Sequence, residues 1–99
     1  QYLLALNPNN HVMTVQALSP VKLPPHKSLE LWMLPGENKT PISCGILPAS
    51  GRGQMTLPKE MMGILLQSQG LAVSLEPEGG APEGKPTGPV VYQGKLISI

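Results

Sequence analysis

Three side chains of this 99-residue chain could supply a nucleophile and a base: Cys44 is the single thiol, and His11 and His26 are the two imidazoles. A thiol activated by a neighbouring imidazole is a sufficient core for nucleophilic catalysis. Ile42, Cys44 and Ile46, however, alternate along a strand-like segment, and we expect all three to face the core, where a cysteine packs as an inert hydrophobe. Both histidines flank turn or Pro-rich segments. We therefore expect no catalytic residues. A small hydrolase that uses Cys44 with a histidine is the third of three hypotheses, and the other two follow below.

The other polar groups do not form a pattern for a metal or a cofactor. The Cys and His residues lack the close ligand pair of zinc sites. The run Gly79–Lys85 matches the start of a phosphate-binding loop, but Pro86 stands where Ser or Thr should bind magnesium, and no helix can begin there. The cluster of Glu76, Glu78 and Glu83 lacks the Asp and Asn of calcium loops. We predict that these three carboxylates are solvated side chains of a loop, and that the domain binds no metal and no cofactor.

Charge and composition argue against nucleic acid and against a membrane span within the chain. The formal net charge is +1, the seven basic residues are scattered, and only three residues are aromatic. The chain therefore has neither a run of basic residues that could bind successive phosphates nor a set of aromatic side chains on which bases could stack. Apolar stretches such as Met61–Leu66 are far shorter than the ~20 residues that cross a bilayer. We expect one domain, residues 1–99, excised from a longer protein, with any membrane helix outside it.

Short apolar runs separated by Gly and Pro predict an all-β chain. Leu71–Glu76 shows the clearest alternation, with Leu71, Val73 and Leu75 toward the core and Ala72, Ser74 and Glu76 outward. Leu29–Leu34 is apolar except for Glu30, which predicts a central strand covered on both faces, with Trp32 anchoring the core. The predicted strands are Tyr2–Leu6, Val12–Leu18, Leu29–Leu34, Ile42–Leu47, Gln54–Leu57, Leu71–Glu76, and Val90–Ile99 broken at Gly94.

Two segments differ from this strand pattern. Pro58–Gln69 predicts a short helix, with Pro58 in its first turn, Gly70 as its stop, and Met61, Ile64, Leu65 and Leu66 at helical spacing. Pro77–Pro89 is rich in Pro and Gly and could be a linker. Because strands flank it, we expect a long ordered loop. The expected fold is mostly β: an antiparallel β-sandwich or partly open barrel of about seven strands with one short helix.

Three segments resemble the C-terminal domain of transmembrane anti-sigma factors of the anti-sigma-K type. They are the strand Leu29–Leu34 with its Trp, the Gly-containing strand Ser43–Leu47, and the run from Leu75 through Glu-Pro-Glu-Gly-Gly to Thr87-Gly88-Pro89. The resemblance covers roughly Leu6 to Gly94. The chain departs from the family by an insert at Glu83-Gly84-Lys85. The residues that carry the resemblance are Trp32, Gly45, Glu76, Pro77, Gly79, Gly80, Thr87, Gly88 and Pro89.

The resemblance implies a non-catalytic regulatory or sensor domain on the extracytoplasmic side, periplasmic or on the outer face of the cytoplasmic membrane. A cytoplasmic segment outside this chain would bind an alternative sigma factor, and one membrane helix would join the two parts. Stepwise proteolysis would then free the sigma factor. The implied protein partners are a site-1-type protease or an envelope sensor, and the sigma factor through the absent segment.

Two questions stay open at this point. The chain could instead be a ligand-binding β module for a carbohydrate or an envelope component, with an exposed Tyr or Trp as the platform. Exposed edge strands could also pair two copies into a homo-oligomer or accept a peptide strand.

Overall fold

The computed structural model describes residues 2–7, 9–18, 22–36, 40–47, 52–67, 70–94 and 97–98. These ranges hold seven strands of five to eight residues, a two-residue strand and one helix. The predicted mostly β class with one short helix is confirmed. In chain order the elements are β1 (Tyr2–Asn7), β2 (Val12–Ala17), β3 (Lys27–Leu34), β4 (Ile42–Ile46), β5 (Arg52–Thr56), α1 (Lys59–Gln67), β6 (Gly70–Pro77), β7 (Val90–Gly94) and β8 (Ile97–Ser98).

The strands form two four-stranded sheets. The first has the order β5-β2-β1-β8 and the second the order β4-β3-β6-β7. All neighbours are antiparallel except β8, which runs parallel to β1. The predicted last strand therefore divides into β7 in one sheet and β8 in the other, while residues 95, 96 and 99 lie outside the described ranges. The C-terminal segment thus contacts both sheets.

One apolar cluster lies between the two sheets. Alternate residues of each strand point into it, as expected when the side-chain period of a strand is two. The first sheet supplies residues from β1 and β2, and the second sheet supplies residues from β3 and β6. The buried members from these four strands are Leu4, Leu6, Met13, Val15, Leu29, Leu31, Met33, Leu71 and Val73.

Helix α1 adds a small apolar face to this cluster. Pro58 precedes it, and the Met61 amide donates to the Pro58 carbonyl at 3.0 Å. Met62 and Leu65 are buried, one helical turn apart, whereas Ile64 is 39% exposed. Of the predicted apolar residues, Leu65 is buried and Met61 packs partly against the cluster, whereas the prediction for Ile64 was wrong. The side chain of Leu66 lies outside the described ones. Within the described ranges, no helix has the length and apolar character needed to span a bilayer.

Strand β4 carries a bulge that changes which residues face the core. Its register with β3 shifts between Leu31, opposite Gly45, and Trp32, opposite Ser43. Gly45 has a φ of 116°, a left-handed value that glycine adopts without strain. An extra residue in one strand moves the side chains beyond it to the other face. The prediction that Ile46 faces the core was therefore wrong: it is 40% exposed.

Both faces of β3 and β6 are buried. The prediction of a central, doubly covered β3 is confirmed, but the prediction of an outward, solvated face on β6 was wrong, because Ala72, Ser74 and Glu76 are all buried. Residues 78–89, which we call the covering loop, reach back to the face that carries these side chains. Trp32 is fully buried, yet it lies on this outer face and not in the cluster between the sheets.

Two leucines, one buried and one exposed, test the position of the core. Leu31 is fully buried in the cluster between the sheets, and Leu3 is 41% exposed. We expect Leu31→Ala to lower the free energy of unfolding by about 2–5 kcal/mol and Leu3→Ala to lower it by less than about 1 kcal/mol. Urea titration of both variants measures the difference. Equal losses would contradict this position of the core.

Candidate functional site

The outer face of the second sheet is a buried polar layer. β3 contributes Ser28, Glu30 and Trp32 to it, and β6 contributes Ala72, Ser74 and Glu76; each is less than a tenth exposed. Strand register places Ser28 opposite Glu76 and Glu30 opposite Ser74. Two carboxylates therefore lie buried on one face, where a charge is costly unless hydrogen bonds satisfy it.

Glu76 accepts hydrogen bonds from the C-terminal part of the covering loop. The Thr87 hydroxyl donates to Oε1 at 2.6 Å, the Thr87 amide to Oε2 at 3.1 Å, and the Gly88 amide to Oε2 at 3.2 Å. The Ser74 hydroxyl donates to the same Oε2 at 2.5 Å. Hydrogen bonds to an ionised acceptor are stronger than neutral ones. One buried carboxylate thus fixes this end of the loop to β6.

Trp32 is connected to Glu76 through Ser74. The indole Nε1 donates to the Ser74 hydroxyl oxygen at 2.8 Å, and that hydroxyl donates onward to Glu76. A buried indole N–H needs such an acceptor. The side chains of three residues from two strands therefore form one chain of hydrogen bonds that ends at the covering loop.

Glu30 and Ser28 hold the N-terminal part of the covering loop. The Ala81 amide donates to Glu30 Oε1 at 2.7 Å, and the Ser43 hydroxyl donates to Glu30 Oε2 at 2.5 Å. The Gly79 amide donates to the Ser28 hydroxyl oxygen at 3.1 Å. Both ends of the loop are therefore held by side chains of the sheet, and the part between them, residues 82–85, is exposed.

Gly88 lets the loop approach β6 closely. A Cβ placed on Gly88 would collide with the backbone carbonyl oxygen of Leu75. Nearby, the Leu75 amide donates to the Pro89 carbonyl at 3.0 Å, so the loop backbone pairs with the strand before β7 begins. A side chain at position 88 would push the loop away from Glu76.

A protein-family model described as anti-sigma-K factor rskA, C-terminal, matches residues 2–90, nearly the whole chain. The chain belongs to this family. Comparisons with curated proteins and with solved structures gave no match. The resemblance seen in the sequence is confirmed, and the chain is an anti-sigma factor domain whose family implies a sigma factor as partner.

The residues that carry the family resemblance lie together in this anti-sigma factor domain. Beyond the contacts already given, the Gly80 amide donates to the Pro77 carbonyl at 2.9 Å, and a Cβ on Gly80 would lie 3.1 Å from Glu30 Oε1. The Gly45 amide donates to the Ser43 hydroxyl oxygen at 3.2 Å. All nine belong to the outer face, to the covering loop or to the strand beside them: Trp32, Gly45, Glu76, Pro77, Gly79, Gly80, Thr87, Gly88 and Pro89. Their role in signalling stays a prediction.

The electrostatics of Glu76 favour its ionised form. Burial raises the pKa of this carboxyl, but the hydrogen bonds from Ser74, Thr87 and Gly88 lower it by more, so that its pKa lies below the ordinary value of 4.5. Its donors are neutral hydroxyls and amides. Glu76 is therefore charged at neutral pH and holds the loop through donors that do not titrate there.

The residues considered for catalysis are a half-buried cysteine and two histidines in turns. Cys44 packs against the apolar cluster, and burial raises the pKa of its thiol to about 11, with a smaller opposing effect of a hydrogen bond with the Met33 backbone. His11 and His26 lie in turns with φ near 60°. His26 Nδ1 lies 3.3 Å from Oε2 of Glu78, and both side chains are exposed. The thiol is therefore protonated at neutral pH, and a protonated thiol is a poor nucleophile.

The three carboxylates of the predicted acidic cluster separate into different settings. Glu76 is buried, contrary to the prediction of solvated loop charge, whereas Glu78 and Glu83 are exposed as predicted. The run Gly79–Lys85 continues into turns and extended backbone, so no helix follows it. Among the described residues, no three His, Cys, Asp or Glu side chains lie close enough to share a metal ion.

Sequence reasoning missed four residues of the site: Ser28, Glu30, Ser43 and Ser74. Their signal was a polar side chain at every second position of strands otherwise rich in apolar residues. On β6 we interpreted that pattern as a solvated face, because polar residues mostly face water. On β3 we predicted that both faces are covered, but we assigned neither Ser28 nor Glu30 to a site. It instead marks a polar layer that a loop covers.

The charge of Glu76 predicts a specific pH dependence of stability. Because its folded pKa is lowered, its contribution is fully present above the unfolded pKa and is lost as the pH falls through the folded value. We expect Glu76→Gln to lower the free energy of unfolding at pH 7 by about 1–3 kcal/mol, since the donors of Ser74, Thr87 and Gly88 then share a single acceptor oxygen. The difference from wild type should stay constant above pH 5 and shrink below about pH 4.5.

Glu78→Gln is the matched control, because it removes the same charge from an exposed residue of the covering loop. Urea titrations between pH 3 and 7 give the free energy of unfolding of each variant. A Glu76→Gln effect that does not change across this range, or one no larger than that of Glu78→Gln, would contradict a charged, loop-binding Glu76.

Proposed function

We propose that this domain is the extracytoplasmic regulatory part of a membrane-anchored anti-sigma factor, and that its folded state delays the proteolysis that frees the sigma factor. The family supports an anti-sigma factor domain. The observation that carries the proposal is the covering loop, a Pro- and Gly-rich segment fixed at both ends by buried carboxylates. The segments that bind the sigma factor and cross the membrane would belong to parts of the protein outside these residues.

The physical basis is the backbone conformation that a protease requires. An endoprotease binds the chain on both sides of the cut as an extended strand, so a folded segment must open first. In the covering loop the Ala81 and Thr87 amides are bound to carboxylates, and the turn between them includes Gly84 at a φ of 72°. Cleavage there requires the loop to leave at least one carboxylate.

Local stability then sets the threshold for signalling. When opening and closing are fast compared with cleavage, the rate of cutting follows the population of the open form. A signal that displaces the loop, or an envelope sensor or site-1-type protease that binds its open form, would raise that population. In this proposal the domain acts by staying folded or by opening, and it catalyses no reaction.

The alternative of a ligand-binding β module loses its principal candidate residue. That alternative requires an exposed Tyr or Trp as its platform, but Trp32 is fully buried and its indole N–H is bound to Ser74. A buried ring offers no face to a sugar. The described contacts therefore favour a regulatory domain over a carbohydrate platform.

Limited proteolysis with mass spectrometry tests the proposal. We expect the first cuts of the native domain within residues 82–85. Glu76→Gln should raise the rate of these cuts by about 5-fold to 150-fold, the factor that corresponds to a loss of about 1–3 kcal/mol in the opening free energy. Glu78→Gln serves as the matched control and should stay close to wild type. First cuts inside β6 with an intact covering loop would contradict the proposal.

A further inference from the structure

We propose that the domain stays folded after a cut in residues 82–85, because the two pieces remain bound to each other. The cleaved, folded domain would be an intermediate in signalling. This inference rests on the proposed function for the cut itself, and it concerns what happens afterwards. The sigma factor would then be released in two steps: cleavage of the loop, and later departure of the C-terminal piece.

Hydrogen bonds to the sheet lie on both sides of the cut. On the N-terminal side, Gly79 is bound to Ser28 and Ala81 to Glu30. On the C-terminal side, the amides of Thr87 and Gly88 are bound to Glu76. Since neither set involves residues 82–85, all of these bonds form again when the cut loop closes onto the sheet.

The strands of the C-terminal piece bind it to both sheets. β7 pairs with β6 from Leu71 to Ser74, and β8 pairs with β1 at Ala5 and Leu6. Tyr92 also packs against the apolar cluster. The piece is therefore held by backbone pairing, by an aromatic side chain and by the Glu76 carboxylate, all of which a cut in the loop spares.

The exposed segment has few bonds that a protease can use, and each lies between the two attachment points. The bonds preceding Pro82 and Pro86 involve a nitrogen without a hydrogen and resist pairing in an active site. The Glu83–Gly84 bond is an example of the remaining peptide bonds, which a protease can cleave. Its hydrolysis by an endoprotease adds one water, leaving a carboxylate on Glu83 and an amino group on Gly84. Both new ends stay in solvent, since both residues are exposed.

Departure of the C-terminal piece would be the committing step. It would remove Thr87 and Gly88, two of the donors to the buried Glu76, and leave the β6 edge, which β7 covers, without backbone partners. An open strand edge is a template that other chains and proteases bind. The lifetime of the cut domain would therefore depend on the Glu76 contacts, and these set the delay between the cut and the next cleavage.

A forced cut tests this inference directly. The recognition sequence of a site-specific endoprotease is inserted between Glu83 and Gly84 of the 99-residue chain, which is then cut at neutral pH. Gel filtration measures whether the pieces elute together, and fluorescence of Trp32, the single tryptophan, reports on the buried layer. We expect co-elution at micromolar concentration and an emission spectrum unchanged by the cut.

Three variants separate the role of Glu76 from general instability. Glu76→Gln should speed dissociation of the cut domain by about tenfold or more. Thr87→Val, which removes only the hydroxyl donor, should act in the same direction with a smaller effect. Glu78→Gln, the exposed control, should match the cut parent chain.

Immediate separation of the cut parent domain would overturn the inference, and so would equal dissociation rates for all three variants. Because the inserted sequence forces the cut, the result does not depend on where other proteases cleave the native chain. The experiment can therefore contradict the inference that the cut pieces stay bound without contradicting the proposed function, and the limited proteolysis above can do the reverse.

Discussion

The ionised carboxylate of Glu76 is buried in the outer face of a sheet and is balanced by hydroxyl and amide donors. Two of its donor residues, Thr87 and Gly88, belong to the covering loop, and their hydrogen bonds to Glu76 stabilise the folded conformation of that loop. Loops rich in Pro and Gly offer few backbone hydrogen bonds of their own. The carboxylate and the loop therefore depend on each other: the loop removes the charge from water, and the charge holds the loop.

This mutual dependence explains the arrangement of the second sheet. Its inner face is apolar and packs against the first sheet, as in other two-layer β folds. Its outer face is a satisfied polar layer: within the described part of the chain, every buried side-chain N or O atom has a hydrogen-bond partner. Such a layer is sensitive to disturbance, because an opened network leaves costly unpaired groups. The function that we propose uses this sensitivity, because it requires a domain that first resists a protease and then opens.

Much of the fold could be predicted from the sequence, because turn residues and alternation of apolar residues report on local structure. All seven long strands and the helix were predicted, most to within two residues at each end. What failed was the direction of particular side chains. Ile46 turns outward because of a bulge at Gly45, which requires the partner strand to be known. Ser74 and Glu76 were assigned to solvent because alternation alone does not tell whether water or a distant loop covers a polar face.

The site was predictable in part for the same reason. The sequence placed Glu76, Thr87 and Gly88 in one family segment, but their contact joins residues 11 and 12 positions apart through a loop that reverses direction. Glu30 and Ala81, 51 positions apart, had no signal that linked them. Contacts of this kind depend on the path of the loop, and Pro and Gly permit many paths.

Amide hydrogen exchange at neutral pH tests most directly whether Glu76 holds the covering loop. We expect the Thr87 and Gly88 amides to be protected to the same degree as the Leu75 amide, which is bound to the Pro89 carbonyl, because one opening event would expose all three. The Glu83 amide, at the exposed turn, should exchange much faster. Thr87 and Gly88 amides that exchange as fast as Glu83 while β6 stays protected would contradict the account.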